Sequence, residues 1–163
     1  MIILDGVSLN LEQLHKIARD QEMVGLSSLS KELVQKASLF VEKMVEKGDP
    51  VYGINTGFGH LSHVMIDKCQ VSQLQENLLK SHACGVGEPL SIEEVRAMMA
   101  LRINALIKGH SGIRLETIEK LVELLNKNII PVVFEKGSLG ASGDLAMLSH
   151  MSLPLLGLGE VFY

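Results

Sequence analysis

Gly137-Ser138-Leu139-Gly140-Ala141-Ser142-Gly143-Asp144 is a stretch whose centre can undergo backbone chemistry. When Ala-Ser-Gly is bent tightly, the amide nitrogen of Gly143 can attack the carbonyl carbon of Ala141. Closing that ring releases one water, and β-elimination of the Ser142 hydroxyl releases a second. The product is a five-membered methylidene-imidazolone (MIO), an electrophile of a kind that no ordinary side chain provides. The residue types suit the reaction: Ala141 is small, Ser142 brings the hydroxyl to be lost, and Gly143 has no Cβ and tolerates unusual dihedrals. The octapeptide alone fits equally well a turn in which Ser142 caps the apolar helix after it. A serine-hydrolase elbow fits less well, because Asp144 stands where Gly-x-Ser-x-Gly needs its second glycine. A phosphate loop is excluded by the spacing of Gly137, Gly140 and Gly143 and by the lack of Gly-Lys-Ser/Thr.

Outward from this motif the chain reads as mostly α with a few short strands. Downstream, Leu145, Leu148, Met151, Leu155 and Leu156 define a helix that starts at Asp144. Upstream, Pro131-Val132-Val133-Phe134 is extended, and Leu115, Ile118, Leu121, Val122 and Leu125 mark a helix ending near Asn126. Ser91 and Glu94 form a capping box for a helix running to Lys108 and closed by Gly109, and Asn10 with Gln13 forms another for a helix bearing Leu11, Leu14, Ile17 and Ala18. A helix from about Ser30 to Lys47 carries Leu33, Ala37, Phe40, Val41 and Met44 at helical spacing, and Gly48 and Pro50 stop it. One from about Ile66 to Ser81 delivers His82 at its end. Ile2-Ile3-Leu4 before Asp5-Gly6 reads as a short strand and turn. Between the second and third helices lies Val51-Tyr52-Gly53-Ile54-Asn55-Thr56-Gly57-Phe58-Gly59, a glycine loop that brings backbone close to something.

Composition narrows the class. At 163 residues the chain can build a real core. Only 21% of residues are charged while 47% are hydrophobic, and the mean hydropathy of +0.25 predicts helix surfaces that face other helices or subunits. A net charge of −4 without a Lys/Arg cluster argues against a nucleic-acid partner. No apolar run is long enough to span a bilayer. Cys69 and Cys84 form neither a disulfide framework nor a metal-spaced set, which makes the cytoplasm the default compartment. His60 and His63 lack further ligands nearby and are expected to face solvent, and His15, His110 and His150 receive no functional reading.

Three segments in this order, the glycine loop at 51–59, Ser81-His82-Ala83-Cys84-Gly85-Val86-Gly87-Glu88-Pro89-Leu90, and the Ala-Ser-Gly stretch, resemble the histidine ammonia-lyase branch of the MIO-dependent aromatic amino acid lyases. The resemblance runs from about Leu4 to Tyr163 and matches only the N-terminal part of a longer protein. The apolar close, Leu158 to Tyr163, is also how a chain cut inside a fold looks. The resemblance implies an N-terminal domain at 1–109 and the start of a central helical bundle at 110–163. It implies an MIO formed autocatalytically from Ala141, Ser142 and Gly143, with no external cofactor and no metal. It assigns Tyr52 as the base that abstracts a proton; a phenol titrates near ~10 in water, so such a base needs surroundings that favour the phenolate. Without the resemblance, Tyr52 reads as a strand tyrosine packed in a core.

His82 matches the position that reads the substrate side chain, and Asn55 is expected to bind substrate or orient Tyr52. Relatives acting on phenylalanine tend to carry an apolar pair where this chain has Ser81-His82, and those acting on tyrosine tend to have His at the first place. The implied reaction is therefore elimination of ammonia from L-histidine to give trans-urocanate, in histidine degradation, by a cytoplasmic homotetramer whose sites draw on several subunits. A tyrosine or phenylalanine lyase or aminomutase is the alternative within the class. An inactive helical fragment is the alternative outside it, with the Ala141–Gly143 peptide uncyclised for want of the packing that compresses the loop. One departure stands out: Met147 occupies a position where the family usually has proline.

Overall fold

The computed structural model describes residues 1–137 and 143–163, with backbone alone at Lys68. Ala141 and Ser142 fall outside the described residues. The architecture is mostly α, as expected, with six helices among the described residues: α1 (Leu11–Ala18), α2 (Ser28–Lys47), α3 (Val71–His82), α4 (Ile92–Leu106), α5 (Leu115–Asn126) and α6 (Leu145–Ser152). Three two-stranded ribbons accompany them. β1 (Ile2–Leu4) pairs parallel with β2 (Val24–Leu26), with α1 as the crossover. β3 (Val86–Pro89) pairs antiparallel with β5 (Phe134–Lys136), and β4 (Ile130–Pro131) with β6 (Val161–Phe162). No helix among the described residues is long and apolar enough to cross a membrane.

Helix starts follow local chemistry. Both expected capping boxes form, Asn10 with Gln13 and Ser91 with Glu94. Gly48 ends α2 at φ +80°, a conformation that costs glycine nothing. α4 is the hub, burying Val95, Arg96, Met99, Ala100, Ile103 and Leu106 against α1 and α5. Each of its large apolar side chains contributes roughly 1.5–3 kcal/mol on burial. The core joins Leu4, Ile17 and Val24 to Ile118, Leu125, Ile130 and Met151, so within this chain it crosses position 109 without a break.

Arg96 is 1% exposed at the centre of that core. Its Nε donates to the Ile17 carbonyl at 2.9 Å, and one terminal nitrogen donates to the Leu125 carbonyl and to Asn128 Oδ1, each at 3.0 Å. Both carbonyls lie in the last turns of helices, α1 and α5, where carbonyls lack intrahelical partners and the helix dipole favours a cation. Burial pushes the guanidinium below its ordinary value.

Three expectations are corrected. α2 buries Ser30, Val34 and Ser38, not the Leu33–Phe40 row; Leu33 and Phe40 are exposed, because the helix meets α5 along a narrow stripe of small residues. The helix expected from Ile66 begins at Val71: Asp67 accepts the Cys69 amide at 3.1 Å and starts a separate 3-10 turn. Tyr52 lies in a turn at the surface and not in a strand or core. α6 begins at Leu145 with Asp144 at the cap position, though the Asp144 side chain makes no capping bond; the reading of Ser142 as a cap lies outside the described residues.

Candidate active site

The glycine loop is a scaffold for Tyr52. The amides of Ile54 and Asn55 both donate to the Val51 carbonyl, closing a turn. The Asn55 side chain completes it: its Oδ1 accepts the Val51 N–H at 2.8 Å and its Nδ2 donates to the Asp49 carbonyl at 2.9 Å. Asn55 is 3% exposed, and its amide is turned to the loop backbone. The neighbouring Thr56 pairs across to Met65 as an isolated bridge. A Cβ at Gly57 would lie 2.7 Å from the Leu61 carbonyl oxygen, which is the close backbone approach that the loop composition predicts. Tyr52 meets Phe58 edge-on, with ring centroids 6.0 Å apart.

His82 ends α3. Its Nδ1 lies 2.8 Å from the Leu78 carbonyl oxygen and 3.1 Å from Ser81 Oγ, while the Ser81 hydroxyl donates to the same carbonyl at 2.9 Å. A carbonyl can only accept, so the Nδ1 carries the proton. In the neutral imidazole Nε2 is then an acceptor, held in one orientation by the helix end.

Tyr52 and His82 line one cleft of about 430 Å³, together with Phe58, Arg102 and the first two turns of α6 at Leu145 and Leu148. Its walls are largely apolar, and its polar groups are a phenol, an imidazole, a guanidinium and the hydroxyls of Ser149 and Ser152. This is the make-up of a small-molecule site. Asn55 is not among the lining residues. Gly143, two residues before α6, has φ +71°, and none of the described residues comes within 4 Å of where its Cβ would point. That flank fits a ring closed through the Gly143 nitrogen.

Behind the cleft, three segments press together without room for side chains. A Cβ at Gly137 would lie 2.8 Å from the Gly85 Cα and 3.2 Å from the Ala146 Cβ. A Cβ at Gly85 would lie 2.9 Å from His150 Nε2, the atom that accepts the Gly85 amide at 2.9 Å. His150 is 8% exposed, meets the Phe134 ring edge-on at 5.2 Å, and is pushed below its ordinary pKa by burial. Neither His150 nor Arg102 was assigned a role from sequence. The available signal was that Ala146 and His150, four apart, share a helix face distinct from that of Leu145 and Leu148. His60 and His63 are exposed, and no metal-ligating cluster exists among the described residues.

The chain is thus mostly helical and brings a tyrosine, a histidine and the start of α6 to one cleft. The chain belongs to the aromatic amino acid lyase family, whose sequence profile matches residues 9–163. Among curated relatives it is 53% identical over 162 residues to the histidine ammonia-lyase of Caldanaerobacter subterraneus subsp. tengcongensis, covering 99% of this chain and 32% of that protein. The chain thus spans about a third of the length of the curated relatives it matches. Its fold matches the histidine ammonia-lyase from Trypanosoma cruzi with a TM-score of 0.87 at 41% identity, covering 97% of this chain and 30% of that one. It matches the tyrosine aminomutase from Streptomyces globisporus with a TM-score of 0.92 at 36% identity, covering 99% of this chain and 30% of that one.

Proposed function

We propose that the whole protein is a histidine ammonia-lyase that converts L-histidine to trans-urocanate and ammonia. The observation that carries the proposal is the convergence of Tyr52 and His82 on one cleft at the start of α6, with His82 Nδ1 tied to the Leu78 carbonyl. Fold likeness does not separate the substrates, since a tyrosine aminomutase and a histidine ammonia-lyase both match. The curated relatives that cover the whole chain at about half identity are histidine ammonia-lyases, and Ser81-His82 has the polar order expected for an imidazole substrate.

Ammonia elimination faces two obstacles: the amine is a poor leaving group and the β-hydrogen is weakly acidic. An MIO from Ala141, Ser142 and Gly143 supplies, once formed, an electrophile that makes the amine a better leaving group. The chain's own residues do the rest. Tyr52, as the base, takes the β-proton on its phenol oxygen. His82 accepts the N–H of the substrate imidazole at Nε2, orienting the side chain so that the β-carbon faces Tyr52. Phe58 packs against Tyr52 and restricts where its hydroxyl points.

Exposed Leu33, Leu39, Phe40 and Tyr52 suit burial by the remainder of the protein and by further subunits, in keeping with a cytoplasmic homotetramer whose sites are shared between chains. Steady-state comparison of L-histidine, L-tyrosine and L-phenylalanine on the whole protein tests the substrate. L-histidine should have the highest kcat/KM, and a clear preference for either of the others overturns the reading. Ser142→Ala should keep the fold and lose most turnover, and its intact mass should show no loss of water.

A further inference from the structure

We propose that His150 is a positioning residue for the self-processing segment, acting through the Gly85 amide. The proposal rests on the reading of Ala141–Gly143 as ring-forming and adds the part of the fold that holds the segment's two ends.

Gly137 is the last described residue before the segment, and its backbone rests on the Cα of Gly85 and on Ala146 of α6. Gly85 in turn rests on His150, to which it donates its amide. β3 and β5 carry the same contact onward through the pairing of Val86 with Lys136. α6, which carries both Ala146 and His150, follows directly on the segment's other end at Gly143 and Asp144. The imidazole therefore ties the turn after His82, the entry to the segment and the helix at its exit into one node.

The node works only with an acceptor at Nε2. Gly85 presents an N–H, so the imidazole must be neutral with its proton on Nδ1. Its site favours that form: the ring is buried and stacked edge-on against Phe134. The spacing is tight as well as polar. No Cβ fits at Gly85 or Gly137, so the height of Gly137 over α6 is set by two backbones in contact and by one hydrogen bond. Ring closure needs the Gly143 nitrogen pressed against the Ala141 carbonyl, and a strained approach of that kind persists only where the surroundings over-determine it. His150 is one of those surroundings, and it is not among the residues that line the substrate cleft.

The test uses the whole protein, purified promptly after expression, with the fraction of chains lighter by two waters read by intact mass. His150→Leu keeps apolar bulk against Phe134 but offers Gly85 no acceptor. His150→Gln replaces the imidazole with an amide whose oxygen can accept the same N–H. We expect the Leu variant to form the ring roughly fivefold more slowly, the factor that one lost hydrogen bond supplies, and the Gln variant to recover most of the rate. Activity per ring-containing site should stay near that of the parent in both. Equal ring content in folded Leu variant and parent overturns the proposal, and so does loss of the ring in a folded Gln variant. Should the Leu variant fail to fold, Gly85→Ala carries the test, because it crowds the imidazole away without removing it; full ring content in that variant also overturns the proposal. If the parent itself shows no loss of water, the reading of the Ala-Ser-Gly segment has failed, which separates the two outcomes.

Discussion

Replacing Arg96 with methionine isolates the energetics of a charge fully buried in the core. The change keeps an unbranched apolar stem, shorter than arginine by the guanidinium carbon and its terminal nitrogens, and removes three hydrogen bonds. The Ile17 carbonyl accepts from Arg96 alone among its hydrogen bonds outside regular helix, so it loses its partner; the Leu125 carbonyl keeps the Asn128 amide. Orphaning one buried carbonyl costs ~1–3 kcal/mol and weakening the other two acceptors ~1 kcal/mol each, from which relief of guanidinium desolvation subtracts on the order of 1 kcal/mol. The net expectation is a loss of about 3 kcal/mol, a large share of the ~5–15 kcal/mol by which domains are stable. With a urea m-value of about 2 kcal/mol per molar, the midpoint of unfolding of the chain should fall by about 1.5 M. Arg96→Lys, which keeps a charge and one reach of donors but not the fork, should fall between the two. A methionine variant as stable as the parent refutes the assignment, because desolvation of the guanidinium would then outweigh all it holds.

Three further outcomes are expected. Tyr52→Phe in the whole protein should lower kcat by ~10²–10⁴, the usual range for a lost general base, while the intact mass still shows the ring; near-normal turnover removes Tyr52 from the chemistry. Gly85→Ala, whose Cβ would lie 2.9 Å from His150 Nε2 and 3.0 Å from the Phe134 Cβ, should destabilise the chain by about 1–3 kcal/mol through overpacking, read by urea unfolding. His150 gives a pH signature: burial lowers its folded pKa, so stability present above its unfolded value near ~6.5 is lost as pH falls from there towards the folded value, by at most about 1.4 kcal/mol per pH unit. Glu76, Lys80 and His82 on α3 and Glu135 and Lys136 on β5 are the ionisable groups on the elements packed against α6. They are unchanged in His150→Gln, so unfolding profiles of parent and variant should differ in slope only in that interval.

What could be read from sequence was local. Asn10 with Gln13 and Ser91 with Glu94 announce helix starts through contacts three residues apart, and Gly48 announces a stop through its own dihedral. Tyr52 and His82, which line one cleft in the structure, stood out in the sequence because each sits in a long motif. The strands β2, β3 and β6 were not, because stretches of two to four residues carry no usable period and owe their form to partners far along the chain. The buried stripe of α2 was misread for a related reason: its leucines and phenylalanine are regular but exposed, and the serines that meet α5 carry no hydrophobic signal. Arg96 and His150 escaped notice because their partners lie 79 and 65 residues away.

The pairing of β1 with β2 leaves the outer side of β2 as an open sheet edge, the kind of surface on which chains add strands and aggregate. Asn126 closes it. Its side-chain oxygen accepts the Val24 N–H at 2.8 Å and its side-chain nitrogen donates to the Val24 carbonyl at 2.9 Å, so one amide reproduces the hydrogen bonds of a neighbouring strand. A helix end thereby shields a sheet from self-recruitment. Asn126→Ala should reveal this as faster aggregation at concentrations where the parent stays dispersed.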